Sequence, residues 1–313
     1  MNISKINKYQ KIPVNYCKKT TAGNTVEFLS MSSKPLAPPI QKIDYDHYCN
    51  TNTGEILEYL HTKSRAEGKN ELRKSFKRIR DTINANCTES EKLHWITLTY
   101  AENMTDTERL YHDFKDFWLR FKRFCKKSDY PAPEYITVIE PQARGAWHCH
   151  CIFIWSIERP FIENSVFADI WGHGFVKIKA VKDCDNLGAY LSAYLGDVPL
   201  EDGQAAPPNS TVKEVNGKRY IKGGRLNMYP TGTNIIRTSR GIKRPSQEVI
   251  APETAHIEKI KTGCRTFRSA LKVESENSNL LLTKEYYNTK KPVSQAVALL
   301  QHAVACDIAV AEM

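Results

Sequence analysis

Two histidines and one glutamate are the residues of this chain whose types and spacing are best suited to chemistry. Two apolar runs, 135–140 and 147–155, are joined by a turn containing Pro, Arg and Gly, and this pattern predicts a β-hairpin. Because successive side chains of a strand point to opposite faces, His148 and His150 share one face. If Glu140 pairs near His148 across the hairpin, its carboxylate joins the two imidazoles on that face.

Imidazole and carboxylate together form a donor set that holds a divalent cation and leaves positions for water or a phosphate oxygen. The pattern therefore favours metal-dependent phosphate chemistry, although three alternatives stay open. A structural zinc site is disfavoured, because zinc needs about four converging ligands and a strand sends Cys149 and Cys151 away from the histidines. The other two are the iron site of two-histidine, one-carboxylate oxygenases and histidines that simply belong to the core.

Residues 185–197 carry two tyrosines at helical spacing. Leucines recur there every four residues, which predicts a helix with an apolar stripe, and Tyr190 and Tyr194 repeat with the same step on one flank. Both phenols are therefore expected to project from that flank, one turn apart. They either border a leucine core or act as nucleophiles, because a phenol can attack phosphorus once a metal polarises the phosphate.

The segments around these motifs indicate the fold that positions them. Residues 94–100 and 174–181 alternate as strands do, whereas 107–127 and 164–171 have the apolar period of helices. The aromatic stripe of 107–127 is predicted to cover one face of a sheet. The fold class predicted is α+β, with a central antiparallel sheet flanked by helices and with mostly helical or loosely ordered N- and C-terminal extensions.

The composition indicates a polyanionic partner and a reducing compartment. Lys and Arg number 45 against 35 Asp and Glu, and the formal net charge of +10 favours a nucleic acid as partner. The nine cysteines include no CxxC pair, so a disulfide scaffold is disfavoured. The sequence contains no signal-peptide pattern and no transmembrane run, so we expect a cytoplasmic protein with no membrane partner.

Basic residues occur at three places that are predicted to contact DNA phosphates. These are the turn of the hairpin, the strand at 174–181, and the segment 218–245, where Tyr220 and Tyr229 are interleaved with Lys and Arg. An ordinary basic sheet edge is the alternative for the third place. The residues assigned to DNA contact are Arg144, Lys177, Lys179, Lys218, Arg219, Lys222, Arg225, Arg237, Arg240, Lys243 and Arg244.

In their order along the chain, these motifs resemble the HUH endonuclease superfamily. The closest likeness is to the rolling-circle replication initiators of bacterial plasmids, integrative elements and single-stranded DNA phages. The matching features are a Thr-Leu-Thr strand at 97–99, Glu140 upstream of the His-Cys-His motif of His148 and His150, and a downstream helix with two tyrosines. The resemblance covers residues 90–245 and implies a nuclease domain of ferredoxin-like or RNA-recognition-motif-like layout.

The resemblance also implies a role for each motif residue. Glu140, His148 and His150 match the metal ligands, with Mg²⁺ or Mn²⁺ as the ion, and Tyr190 and Tyr194 match the catalytic tyrosines. The chain departs from the phage initiators around the second tyrosine. Those proteins usually carry a lysine just before it and another three residues after it, where this chain has alanine and aspartate.

The function that the resemblance implies is site-specific nicking and joining of single-stranded or melted origin DNA. A 5'-phosphotyrosine intermediate would form and leave a 3'-OH primer, in the cytoplasm of a bacterium. Because the sequence has no GxxxxGK[ST] phosphate loop, a host helicase and a host DNA polymerase are the expected partners. Two other functions stay open: a non-catalytic DNA- or RNA-binding regulator, and an HUH transposase or relaxase.

Three regions are predicted along the chain. Residues 1–88 are expected to form a basic N-terminal arm and helices, and residues 89–248 the nuclease domain, with a loop insertion at 201–216. Residues 249–313 are expected to form a C-terminal helical extension, which includes one apolar helix at 293–311.

Overall fold

The structure is a computed structural model of the chain. The residues it describes are 2–35, 38–61, 68–142, 144–181, 185–201, 203–207, 210–215, 217–221, 223–275 and 278–291. The apolar segment at 293–311 therefore lies outside the described residues. Among the described helices, none has the length and hydropathy that crossing a membrane requires.

Five α-helices and seventeen strands are assigned in the described residues. The helices are α1 (Lys69–Asn86), α2 (Thr107–Lys127), α3 (Asn164–Trp171), α4 (Leu187–Gly196) and α5 (Pro252–Thr262). The strands are β1 (Asn2–Lys5), β2 (Tyr16–Ala22), β3 (Thr25–Met31), β4 (Ile40–Lys42), β5 (His47–Asn50), β6 (Ile56–Glu58), β7 (Leu93–Thr99), β8 (Glu134–Pro141), β9 (Trp147–Ile154), β10 (Val176–Lys179), β11 (Val198–Pro199), β12 (Val212–Val215), β13 (Lys218–Ile221), β14 (Ile236–Thr238), β15 (Ser246–Ile250), β16 (Cys264–Ser275) and β17 (Ser278–Asn288).

The chain divides into two compact units, one formed within residues 62–244 and the other by 1–61 together with 245–313. The first unit is built on a five-stranded antiparallel sheet in the order β10-β7-β9-β8-β14. The predicted α+β class with a central antiparallel sheet is therefore confirmed. The predicted helices at 107–127 and 164–171 are confirmed as well.

Helix α2 packs its aromatic stripe on one face of this sheet. Phe117 and Phe121 are fully buried, and their ring centroids lie 6.3 Å and 4.9 Å from that of Phe153 on β9. Asp106 caps the helix by accepting hydrogen bonds from two backbone N–H groups of the first turn. The stripe is thus core, as its spacing predicts, and the opposite face of β9 is left for the histidines.

The second unit contains more strand than the sequence indicates for the two extensions. Its main sheet has six antiparallel strands in the order β1-β16-β17-β3-β2-β15, and β4, β5 and β6 form a separate small sheet. Strands from the start of the chain pair with strands from its end, as Met31 does with Leu282. These partners lie far apart in sequence, so their short, polar alternation gives no local signal of a sheet.

A buried ion cluster holds α5 onto this sheet. The Glu285 side chain is 4% exposed and lies 2.6 Å from Lys259 Nζ of α5 and 3.0 Å from Arg265 Nη1 of β16. These cations, with Arg268, hold the pKa of the Glu285 carboxyl below its usual value although burial opposes them. The predicted loop insertion at 201–216 also includes strand, since β12 pairs with β13 around Gly217.

Candidate metal centre and tyrosine helix

The hairpin of β8 and β9 brings the two histidines and the glutamate together. Glu140 is directly opposite His148 in the ladder, which confirms the pairing predicted from the sequence. One ligand atom from each of Glu140, His148 and His150 lies within 4.8 Å of the others. Such a cluster can hold a divalent metal ion.

His150 is fixed at both ring nitrogens. Its Nε2 contacts Glu140 Oε2, and its Nδ1 lies 3.1 Å from the Thr97 hydroxyl on the neighbouring strand β7. Burial lowers the pKa of His150 to about 4, with Lys179 contributing in the same direction. The imidazole is therefore neutral at physiological pH, which is the form that binds metals.

His148 has a ring nitrogen well suited to a metal. Its Nε2 is buried and has no hydrogen-bond partner among the residues that the structure describes. Its Nδ1 faces the side-chain amide of Gln142 at 3.4 Å. Burial lowers the pKa of His148 to about 4, and His150 and Arg144 add to the shift. A buried polar atom without a partner costs free energy, and a metal ion would satisfy it.

The donor set fits Mg²⁺ or Mn²⁺ better than a structural zinc ion. Cys149 and Cys151 lie on the opposite face, where their Sγ atoms are 3.6 Å apart, and neither joins the Glu–His–His cluster. The cluster has two nitrogens and one carboxylate and leaves positions for water or phosphate oxygen. Residues Glu140, His148 and His150 are thus a candidate site for a divalent metal, and the identity of the metal is a matter of proposal.

Helix α4 presents Tyr190 beside this cluster. The tyrosine side chain is 49% exposed, and its ring makes an edge contact with Trp95 of β7 at 5.4 Å between centroids. The Trp95 ring lies in turn 6.4 Å from that of His150. Tyr194 follows one turn later on the same helix, and its side chain lies outside the described part of the chain. The predicted leucine stripe is buried, which explains why the helix docks in this orientation.

Contacts at both ends fix α4 in place. Asn84 of α1 accepts a hydrogen bond from the Gly188 backbone N–H at 2.8 Å, so it caps the start of α4. At the other end, the Tyr229 hydroxyl lies 3.0 Å from the Leu195 carbonyl oxygen and 3.2 Å from that of Ile139 on β8. Tyr229 therefore ties the end of the tyrosine helix to the strand that carries Glu140.

Arg225 lies at the metal cluster, a position that the sequence does not indicate. Its guanidinium Nη1 contacts Glu140 Oε1, and only 12% of its side chain is exposed. Burial lowers the pKa of Arg225. The sequence pattern predicts a phosphate contact for this arginine because it belongs to a basic, aromatic-containing segment. Trp95 and Thr97 also escape sequence analysis, since only the pairing of β7 with β9 puts them on the histidine face.

The other residues predicted to contact DNA are spread over several surfaces. Lys177 and Lys179 are directly opposite Thr97 and Trp95 and so share the histidine face, with Lys179 Nζ 5.4 Å from the centre of the Trp95 ring. Arg237 lies on the other face, where its guanidinium stacks 3.2 Å from the centre of the Tyr111 ring. Lys222 lies outside the described residues, and the exposed remainder are Arg144, Lys218, Arg219, Arg240, Lys243 and Arg244.

Comparison with known families matches the central part of this unit. Residues 93–198 match the family model described as replication-associated protein ORF2. The match spans β7 to β11, and thus includes the metal cluster and the tyrosine helix. Over this segment the resemblance to rolling-circle replication initiators is confirmed, and the HUH superfamily is consistent with it. Neither the curated proteins nor the solved structures include a match to the chain.

Proposed function

We propose that this protein is a rolling-circle replication initiator that nicks and joins single-stranded DNA through a covalent phosphotyrosine. The observation that carries the proposal is the exposed Tyr190 beside the Glu140, His148 and His150 cluster, linked to it through Trp95. All five residues lie in the segment that matches a replication-associated family. Neutral imidazoles and a buried carboxylate favour metal binding at this point.

The Tyr190 phenol supplies the nucleophile. Its oxygen forms a bond to the scissile phosphorus while the bond from phosphorus to the 3' oxygen breaks, and this leaves a 5'-phosphotyrosine. The phenol proton passes to solvent, and the departing 3' oxygen takes up a proton to become the 3'-OH primer. Mg²⁺ or Mn²⁺ held by Glu140, His148 and His150 would draw charge from the phosphate and lower the barrier to attack.

Tyr194 is the second nucleophile in this proposal. It follows Tyr190 by one helical turn, so the helical period places both residues on one flank of α4. The second phenol would cut the regenerated origin, and the freed 3'-OH would attack the first phosphotyrosine to join the strand. No external energy source is needed, because each step exchanges one phosphodiester for another.

Binding and positioning of the DNA are assigned to the basic residues on the histidine face. Lys177 and Lys179 follow the edge strand β10 beside the cluster, where they can neutralise phosphates of a bound strand. Unwinding and extension are assigned to a host helicase and a host DNA polymerase. Melted origin DNA is the proposed substrate.

A covalent-adduct assay tests the proposal. The protein is incubated with Mn²⁺ and labelled single-stranded DNA from its own genetic element, and a protein–DNA band that resists denaturation is sought. We expect the band in the wild type and its loss with EDTA, with His148→Ala and with Tyr190→Phe. Matched controls are His112→Ala, an exposed histidine of α2, and Tyr45→Phe, a tyrosine that is 73% exposed. Binding without an adduct in all samples would instead identify a non-catalytic DNA-binding protein.

A further inference from the structure

Arg225 and His150 approach different oxygens of the Glu140 carboxylate. The guanidinium contacts Oε1, whereas the His150 ring contacts Oε2, which faces the point shared by the three ligand atoms. Both side chains of the ion pair are nearly buried, with 12% of Arg225 and 7% of Glu140 exposed. The arginine thus holds one oxygen and leaves the other directed at the metal position.

The backbone of Arg225 contacts the helix of the tyrosines. Its N–H donates to the carbonyl oxygen of Gly196, the last residue of α4, at 3.0 Å. Two residues earlier, the Gly223 N–H donates to the Asp197 carboxylate at 2.9 Å. One residue therefore touches a metal ligand with its side chain and the end of the tyrosine helix with its main chain.

We propose that Arg225 is a positioning residue that orients Glu140 for the metal and fixes the tyrosine helix relative to it. The inference rests on the proposed metal centre. A ligand carboxylate that is pinned by a second hydrogen-bonding partner keeps its productive orientation, and loss of such a partner typically weakens metal binding. The guanidinium also supplies the positive charge that a buried carboxylate needs.

The alternative role for this arginine is direct contact with a DNA phosphate, as its place in a basic segment suggests. The geometry favours positioning, because the guanidinium is already engaged by a buried carboxylate and little of it reaches the surface. The two roles differ in a measurable way. A positioning residue alters metal affinity in the absence of DNA, whereas a phosphate contact alters the salt dependence of DNA binding.

Metal binding to the DNA-free, full-length protein is the first measurement. Mn²⁺ affinity is determined by calorimetry and by electron paramagnetic resonance for the wild type, Arg225→Met, Arg225→Lys and Arg123→Met. We expect Arg225→Met to bind Mn²⁺ about 10- to 100-fold more weakly. Arg225→Lys keeps the charge and should recover part of the loss, since lysine lacks the planar fork of arginine. Arg123→Met removes an exposed arginine of α2 and should bind as the wild type does.

Salt dependence of DNA binding is the second measurement. Single-stranded DNA binding in EDTA is followed as a function of salt concentration in a Tyr190→Phe background, which prevents cleavage. We expect Arg225→Met to leave the slope unchanged in that background, whereas a lost phosphate contact would reduce the slope by about 0.7. A reduced slope with unchanged metal affinity would overturn the positioning role. Circular dichroism verifies that each variant is folded, and Arg225→Lys carries the test if Arg225→Met is not.

The outcomes separate this inference from the proposed function. If the wild type binds Mn²⁺ and Arg225→Met binds it equally well, the positioning role fails and the metal centre stands. If the wild type binds no Mn²⁺, both fail. If Arg225→Met loses affinity but no adduct ever forms with origin DNA, the positioning role stands and the nuclease function fails.

Discussion

Gly188 of the tyrosine helix lies directly against the backbone of Arg80 in α1. A Cβ atom added at Gly188 would come within 2.2 Å of the Arg80 carbonyl oxygen and 2.8 Å of its Cα. Only glycine fits at this crossing, because both contacts are with main-chain atoms that cannot move without shifting a helix. The close approach of α1 and α4 thus decides where Tyr190 stands relative to the metal cluster.

The first prediction concerns this helix crossing. Gly188→Ala is expected to lower the free energy of unfolding by about 1–3 kcal/mol, as overpacking usually does, and to reduce the rate of adduct formation. The control is Gly196→Ala in the same helix, where an added Cβ would meet side chains at an ordinary 3.7 Å. Chemical denaturation and adduct kinetics measure the two effects. Equal stability of the two variants would contradict the close packing.

The second prediction concerns the metal. Adding Mn²⁺ at 100 times its dissociation constant should raise the free energy of unfolding by about 2.7 kcal/mol, because the folded protein binds the ion and the unfolded chain does not. His148→Ala should abolish most of this gain, since it removes the imidazole whose Nε2 is buried without a partner in the described residues. Thermal unfolding with and without EDTA measures the gain. An equal gain in His148→Ala would place the metal elsewhere.

The third prediction concerns the pH dependence of stability. Burial lowers the pKa of His94 from 6.5 to about 4, and its Nδ1 accepts a hydrogen bond from the Trp155 indole at 3.1 Å. Between these two pH values the unfolded chain binds a proton that the folded protein excludes, so the contribution of His94 is complete above pH 6.5 and is lost as the pH falls toward 4. The loss amounts to about 3 kcal/mol.

His94→Gln tests this dependence, because glutamine offers an oxygen to the Trp155 indole and does not titrate. The free energy of unfolding should fall less steeply with acid in the variant than in the wild type. The difference between the two curves isolates His94 from His148 and His150, which have lowered pKa values as well. Parallel curves for the two proteins would show that His94 binds its proton equally in both states.

The fourth prediction concerns the DNA path. Lys177→Met and Lys179→Met should each weaken binding of single-stranded DNA and reduce its salt slope by about 0.7, because both lysines line the histidine face. Arg237→Met should leave the slope unchanged, because Arg237 stacks on Tyr111 at the opposite face. Fluorescence anisotropy over a salt series measures all three. A reduced slope for Arg237→Met alone would assign the DNA to the face covered by α2.

The metal cluster could be predicted from the sequence because it is local. Two strands joined by a short turn pair with each other, and alternation then decides which side chains share a face, so Glu140 meets His148 as expected. The helix that carries Tyr190 is also local, because its leucine period indicates both its extent and its buried flank. These features need only neighbouring residues for their definition.

The sequence by itself thus determined the ligands, the tyrosine helix and the α+β class. Tertiary structure alone decided that α1 seats this helix at Gly188, that Trp95 stands between Tyr190 and His150, and that Arg225 joins Glu140. It also paired strands from the two ends of the chain in one sheet. The physical reason is the same throughout: each of these contacts joins segments distant in sequence, so it follows from packing and not from local periodicity.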